Sequence, residues 1–186
     1  MNDTIITIEQ GDKIIRIERD QAPDSPREWE NLGVIVCFHR RYRLTDEGHE
    51  LRHDAFESWN DLKEHLESEE HATVILPLYL YDHSGIALQT EPFTCTWDSS
   101  QVGCIWTTQE RVEALGHSEP PTTEDIEGFL KAEVDTYSKY LSGEIYGYRI
   151  FQACPHCGKP GDDELASCWG FYDLDDCKAE AKAQAE

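Results

Sequence analysis

The most apolar segment of the chain is TVILPLYLY, residues 73–81. Its β-branched and aromatic residues favour a strand, and a run this apolar is typical of the interior of a sheet. Pro77 has no N–H to donate to a neighbouring strand. The pattern therefore predicts a central strand with a bulge or bend at the proline. The turn residues Asp82–Gly85 lead from it into a second strand, Ile86–Thr90.

Strands are also predicted on both sides of this segment. Thr4–Glu9 and Lys13–Arg19 alternate apolar and polar residues around Gly11, which predicts an N-terminal hairpin spanning residues 4–19. Residues 97–103 read as a turn. Further strands are predicted at 34–39, 104–107, 144–153 and 166–172, the last two as a closing hairpin.

Two helices are predicted to pack on the sheet. In Asp54–Glu70, apolar residues recur at helical spacing, with Asp54 as the N-cap and Glu57 completing a capping box. The longer helix, Thr122–Leu141, has Thr122 as its N-cap, and its apolar face includes Phe129. A short helix is expected at 108–115.

These elements predict an α+β fold with a mostly antiparallel sheet, two packed helices and a C-terminal cysteine knuckle. The pattern indicates a single domain over residues 1–173, with the knuckle at 154–168 inside it. Residues 174–186 are rich in Ala, Glu and Lys but have no apolar stripe, so a frayed acidic tail is expected there.

The charge of the chain restricts its partners. There are 38 acidic residues against 16 Lys and Arg, a net charge of −22. Such a surface repels nucleic acid, phosphates and anionic lipid, so the expected macromolecular partner is a basic protein. No apolar run approaches the ~20 residues that span a bilayer, and no basic N-terminal leader is seen. A cytoplasmic location is therefore expected, with the seven cysteines reduced or bound to metal.

The sharpest local motif is CPHCG, residues 154–158. Two cysteines separated by two residues and followed by glycine form a knuckle that suits zinc, which takes four ligands in a tetrahedron. Cys154 and Cys157 are the first two predicted ligands, and Cys168 and Cys177 complete the set. Unliganded thiols at a hairpin tip and a redox-active pair are the alternatives.

Two further groups of residues are candidates for function. Asp82, His83 and Asp98 lie in predicted turns, where two carboxylates and an imidazole suit a divalent cation or acid–base chemistry; the alternative is that they bond their own backbone. Glu57, Asp61, Glu64 and Glu67 recur along the predicted helix 54–70. Their axial spacing of about 4.5–6 Å is of the same order as the ~3.4 Å rise per phosphate of one DNA strand, so such a stripe can compete with DNA for a basic groove. The alternative is a solvated helix face with no partner.

A basic island stands out against this acidic background. It is HRRYR, residues 39–43, preceded by Arg27. Such a group either binds an anion or pairs with neighbouring carboxylates and fixes the fold.

Five stretches resemble a family of small acidic accessory proteins of bacteriophages, plasmids and conjugative elements, a family without an established activity. They are SPREWENLG (25–33), VCFHRRY (36–42), LPLYLYDHSG (76–85), WDSSQVG (97–103) and SCWGFY (167–172). With the charge, the resemblance implies a non-enzymatic counter-defence protein of a mobile genetic element. Such a protein inhibits a nucleic-acid-binding host defence protein, a CRISPR effector or restriction enzyme, by presenting a DNA-mimicking acidic surface. The alternatives are a metal-dependent enzyme using Asp82, His83 and Asp98, or a zinc-stabilised structural or regulatory binding module.

Overall fold

The computed structural model describes residues 4–83, 85–95, 97–116 and 119–186. It confirms the α+β class, with antiparallel pairing throughout the two sheets of these residues. The strands are β1 Thr4–Gln10, β2 Lys13–Arg19, β3 Val34–Cys37, β4 Ala72–Asp82, β5 Ile86–Gln89, β6 Ser99–Thr108, β7 Tyr146–Ala153 and β8 Pro160–Phe171. The helices are α1 Trp59–Ser68, α2 Gln109–Ala114, α3 Thr123–Ser142 and α4 Leu174–Gln184, with short 3-10 turns at Pro26–Glu28 and His53–Ala55.

The chain divides into two compact units, where the sequence predicted one domain with one sheet. Unit 1 combines Met1–Ser25 with Lys139–Glu186, and unit 2 is the continuous segment Pro26–Ser138. Each unit has its own four-stranded sheet. The strand patterns predicted the elements, but they carried no information on which strands share a sheet.

Unit 1 is built on the strand order β1-β2-β7-β8. The predicted hairpin is present, with Gly11 in the left-handed conformation at φ 62°. The expected frayed tail is wrong, because these residues form helix α4. Asp173 caps this helix by accepting from the N–H groups of Asp175 and Asp176, and Cys177 and Ala181 are fully buried against Ile15 and Ile150. The residues of α4 that face the core are small, so the sequence shows no stripe of large apolar residues from which this helix could be predicted.

Unit 2 is built on the strand order β3-β6-β4-β5. The apolar segment 73–81 lies in β4, as predicted, and the pairing with β6 shifts register between Leu78 and Tyr79, next to Pro77. Pro77 itself is paired only on the β6 side, because β5 begins its pairing at Tyr79. The missing N–H of the proline therefore costs no hydrogen bond to β5.

Helix α1 is shorter than predicted. Its N-cap is Ser58, whose hydroxyl accepts from the Asp61 N–H at 3.2 Å, and not Asp54. Asp54 lies in a 3-10 turn and pairs with Arg52. The apolar face is confirmed, since Leu62 and Leu66 are buried beneath this helix.

Helix α3 begins as predicted. The Thr122 hydroxyl accepts from the Asp125 N–H at 3.2 Å, and the Asp125 carboxylate accepts from the Thr122 N–H at 2.9 Å. Its buried residues are Ile126, Leu130, Val134 and Tyr137, whereas Phe129, predicted on the same face, is 40 % exposed. Within the described parts of the chain, no helix combines the length and the apolar character needed to cross a bilayer.

Candidate functional site

The acidic side of α1, made of Glu57, Asp61, Glu64 and Glu67, is only partly helical. Glu57 precedes the N-cap, and its N–H donates to the Asp61 carboxylate at 3.0 Å, so Asp61 stabilises the start of the helix. Glu57, Glu64 and Glu67 are exposed. The Lys63 ammonium lies 3.6 Å from Glu67, but both side chains are at least half exposed, and such a pair neutralises little.

The turn cluster, Asp82, His83 and Asp98, is brought together at one end of β4. The Asp82 N–H donates to the Asp98 carbonyl at 3.0 Å, and His83 Nδ1 lies 3.8 Å from Asp98 Oδ2. The Cys95 thiol donates to the same Asp98 oxygen at 3.6 Å. Ser84, in the predicted turn Asp82–Gly85, lies outside the described residues. The sequence therefore found three residues that are neighbours in the fold.

One carboxylate of the turn cluster is already neutralised. Asp82 forms an ion pair with Arg41 and accepts from the Tyr42 hydroxyl at 3.3 Å, and its side chain is only 20 % exposed. These bonds tie the β4–β5 turn to the loop that follows β3. His83 and Asp98 are more open, at 66 % and 40 % exposure, and their 3.8 Å separation is longer than a hydrogen bond. No group of three potential metal ligands occurs among the residues that the structure describes.

The cysteine knuckle has the local geometry that its motif predicts. The Gly158 N–H donates to the Cys154 carbonyl at 2.8 Å, and Gly158 has the left-handed φ of 69° that closes the turn. Backbone N–H groups of His156 and Cys157, together with the Cys157 side chain, hold the pKa of the Cys154 thiol below its usual range. The knuckle therefore favours a thiolate at Cys154.

The predicted four-cysteine ligand set is not assembled. Cys168 pairs with Tyr148, six positions before Cys154, and at about 3.4 Å per residue this places it about 20 Å along the sheet from the knuckle. Cys177 is buried in α4 among apolar residues. The register of β7 and β8 therefore prevents Cys154, Cys157, Cys168 and Cys177 from sharing one ion, and zinc binding by the knuckle alone stays a prediction.

The thiols are expected to react at very different rates. Burial raises the pKa of Cys104 to about 12 and that of Cys177 to about 11, whereas that of Cys154 is lowered. Because the thiolate is the reactive form, iodoacetamide at pH 7.5 should label Cys154 at least tenfold faster than Cys104 or Cys177. Peptide mass spectrometry of timed samples measures this. In denaturant the three thiols should be labelled at equal rates. Equal labelling of Cys154, Cys104 and Cys177 in the folded protein would contradict the knuckle geometry.

The basic island has divided roles. Arg27 is inside unit 2, with its side chain 9 % exposed, and binds Asp46 through two nitrogens at 2.9 and 2.6 Å and Glu133 at 3.2 Å. It also donates to the Gly33 carbonyl at 2.7 Å. This residue is a structural element of the fold. Arg41 is engaged with Asp82, whereas Arg40 and Arg43 are exposed.

A cavity of about 430 Å³ beside this island was missed by the sequence interpretation. Its aromatic wall consists of Phe38, His53 and Trp59, and its polar wall includes Arg40 and Ser100. These residues come from four separate segments, so no local spacing indicated them. The VCFHRRY stretch, which combines an aromatic residue with arginines, was the one available signal.

The chain was also compared with known proteins. No protein-family model, no curated protein and no solved structure matches it.

Proposed function

We propose that the protein is a non-enzymatic inhibitor of a nucleic-acid-binding host defence protein, such as a CRISPR effector or a restriction enzyme. It occupies a basic surface of this partner with its own acidic surface. The observation that carries the proposal is the acidic side of α1, where Glu57, Glu64 and Glu67 are exposed above a helix anchored by Leu62 and Leu66.

The geometry of α1 supports a role in mimicking phosphates. Asp61, Glu64 and Glu67 follow each other at three-residue steps, which is about 4.5 Å along a helix axis. That step is of the same order as the ~3.4 Å axial rise per phosphate of one DNA strand. The helix is held by its cap and by packing, so the carboxylates are presented without the entropy cost of ordering a loop on binding.

The wider charge distribution supports the same proposal. Most of the net charge of −22 comes from unit 2, the segment that carries α1. A field of one sign accelerates association with a basic partner and repels nucleic acid that competes for the same groove. The resemblance of five stretches to accessory proteins of mobile genetic elements adds a setting in which host nucleases are the natural targets.

A variant of three residues tests the acidic side directly. Glu57→Gln, Glu64→Gln and Glu67→Gln remove three negative charges, while Asp61 is kept because it stabilises the start of the helix. In bacteria carrying an active restriction or CRISPR system, the wild-type chain should raise phage plating efficiency, and the variant should lose at least tenfold of that gain. With a purified effector, binding should weaken and depend less steeply on salt, since fewer ion pairs form.

The matched control addresses the enzymatic alternative. His83→Ala combined with Asp98→Asn removes the open pair of the turn cluster but leaves Asp82, whose carboxylate holds Arg41. The control should retain full activity. Loss of activity in a folded control, together with full activity of the triple Gln variant, would overturn the proposal and favour a metal-dependent or acid–base enzyme.

A further inference from the structure

The cavity beside the basic island has a preformed aromatic wall. The rings of Phe38 and Trp59 lie 6.0 Å apart between centroids with an angle of 18° between their planes, and His53 meets Phe38 edge-on at 5.3 Å. The Phe38 N–H donates to the Val102 carbonyl at 2.8 Å, which holds the backbone of Phe38 against β6 directly after β3. Phe38 and Trp59 are only partly buried, so aromatic surface remains available to a flat ligand.

The polar wall is cationic. Arg40 lines the cavity and has no carboxylate partner within the described residues, although the chain has more than twice as many acids as bases. Arg41 also lines it, and its charge is shared with Asp82. Ser100 adds a hydroxyl to this polar wall.

His39 also lines the cavity. Its Nδ1 accepts from the Arg41 N–H at 3.3 Å, so in the neutral ring the proton is on Nε2, and its ring stacks on Tyr42 at 4.8 Å. The Arg41 guanidinium also lies over the Tyr42 ring, 5.5 Å from its centroid. These contacts order the loop after β3, so the polar wall is organised before any ligand arrives.

We propose that this cavity binds a mononucleotide, with its base against Phe38 and Trp59 and its phosphate at Arg40. The volume of about 430 Å³ lies in the ~300–1,000 Å³ range of small-molecule sites. A flat ring gains stacking energy on the aromatic wall, and a phosphate gains charge-assisted hydrogen bonds from a guanidinium. A nucleic acid strand has the same chemistry at one nucleotide, but its further phosphates meet the negative field of the protein.

This site extends the role of the molecule beyond the binding of a macromolecular partner. It uses the basic island and the aromatic wall, and it does not depend on the acidic side of α1. A small ligand here would contact Phe38, directly after β3, and Trp59 of α1, and so would stabilise unit 2 in proportion to its occupancy.

Calorimetric titration of the full chain tests the proposal with AMP and GMP as probes. Adenosine and inorganic phosphate serve as the separate parts of the ligand, and a 5′-phosphorylated single-stranded DNA 12-mer represents the strand. We expect saturable binding of at least one mononucleotide at one site per chain. Adenosine, phosphate and the 12-mer should each bind at least tenfold more weakly than that nucleotide.

Variants locate the site. Arg40→Ala should raise the dissociation constant of the bound nucleotide at least tenfold, and Trp59→Leu should weaken it without changing the response to phosphate. Arg43→Ala is the matched control, since Arg43 is an exposed arginine of the same island that does not line the cavity, and binding should be unchanged. A rise in melting temperature with nucleotide, absent in Arg40→Ala, gives a second readout.

The proposal would be overturned if neither AMP nor GMP binds saturably up to millimolar concentration, or if the wild type and a folded Arg40→Ala variant bind the nucleotide equally well. It would also be overturned if inorganic phosphate binds as tightly as the nucleotide, or if the DNA 12-mer binds more tightly than the nucleotide.

Discussion

Replacing Gly103 with alanine is expected to prevent unit 2 from folding. Gly103 lies in β6, between Cys37 of β3 and Leu78 of β4. A Cβ atom here would lie 1.8 Å from the Val36 carbonyl oxygen and 2.9 Å from the Cys37 Cα. Both are backbone atoms of the neighbouring strand, so relief of the clash requires β3 to move away from β6.

The expected cost exceeds the usual range of overpacking. Inserting a methyl group into a packed core costs about 1–3 kcal/mol when side chains are able to shift, and more when they are not. We expect a loss above ~3 kcal/mol, which is a large part of the ~5–15 kcal/mol that stabilises a typical domain. Circular dichroism and urea unfolding measure it, and the unfolding transition of unit 2 should be lost or strongly shifted.

Gly128→Ala is the matched control for the same substitution. Gly128 lies inside α3, its backbone is helical, and nothing lies within 4 Å of an added Cβ. Alanine should stabilise the chain by about 0.5–1 kcal/mol, because glycine loses more backbone freedom in a helix. If Gly103→Ala unfolds at the same urea concentration as the wild type, the pairing of β3 with β6 is wrong.

Arg27→Met is the second substitution with a large expected effect. It removes the guanidinium that binds Asp46 and Glu133 but keeps the apolar stem. Two largely buried carboxylates then lie close together without a cation, and breaking such a pair costs about 3–5 kcal/mol. Urea unfolding at pH 7.5 measures the loss. The control is Arg52→Met, which breaks the exposed pair with Asp54 and should cost no more than ~1 kcal/mol.

The pH dependence of the Arg27 variant follows from Glu133. Burial raises the pKa of Glu133 above its ordinary value, while the Leu32 N–H and Arg27 oppose the rise. Without Arg27 the folded-state pKa rises further, so the folded state binds a proton more readily than the unfolded state. The resulting stability is present at low pH and is lost as pH rises through the folded-state pKa. The deficit of Arg27→Met should therefore be smaller at pH 5.5 than at pH 7.5, and an equal deficit would show that Glu133 is not involved.

Elements governed by neighbouring residues were predictable from the sequence. The hairpin around Gly11 and the cap at Thr122 depend on residues within a few positions of each other, and both were predicted correctly. The cap of α1 was predicted wrongly at Asp54, because the helix begins after Ser58. Both buried residues of α1, Leu62 and Leu66, come after Ser58. A helix that starts after Ser58 therefore buries them and does not need to include the polar turn at His53–Ala55.

Long-range pairing was not predictable by the same means. β2 pairs with β7, and no local pattern in either strand identifies the other as its neighbour. The same limit explains the candidate sites. Asp82, His83 and Asp98 were correctly grouped because strand ends meet at turns, whereas Cys168 was grouped with Cys154 although the register of β7 and β8 separates them. The aromatic cavity needed Phe38, His53 and Trp59 from separate elements, and only the fold shows them together.

The discontinuous composition of unit 1 has a consequence for synthesis on the ribosome. The β1–β2 hairpin emerges early. Its Ile15 and Ile17 pack in a core with residues of β7 and α4, and β7 is translated more than a hundred residues later. A two-stranded hairpin is only marginally stable alone in water, so the apolar surface of the nascent N-terminus stays exposed until β7 and α4 are made. The continuous segment Pro26–Ser138, by contrast, contains every strand of its own sheet and does not depend on later residues for pairing. Slow translation between these points would lengthen that interval, and nascent-chain chaperones would find their binding site at Ile14–Ile17.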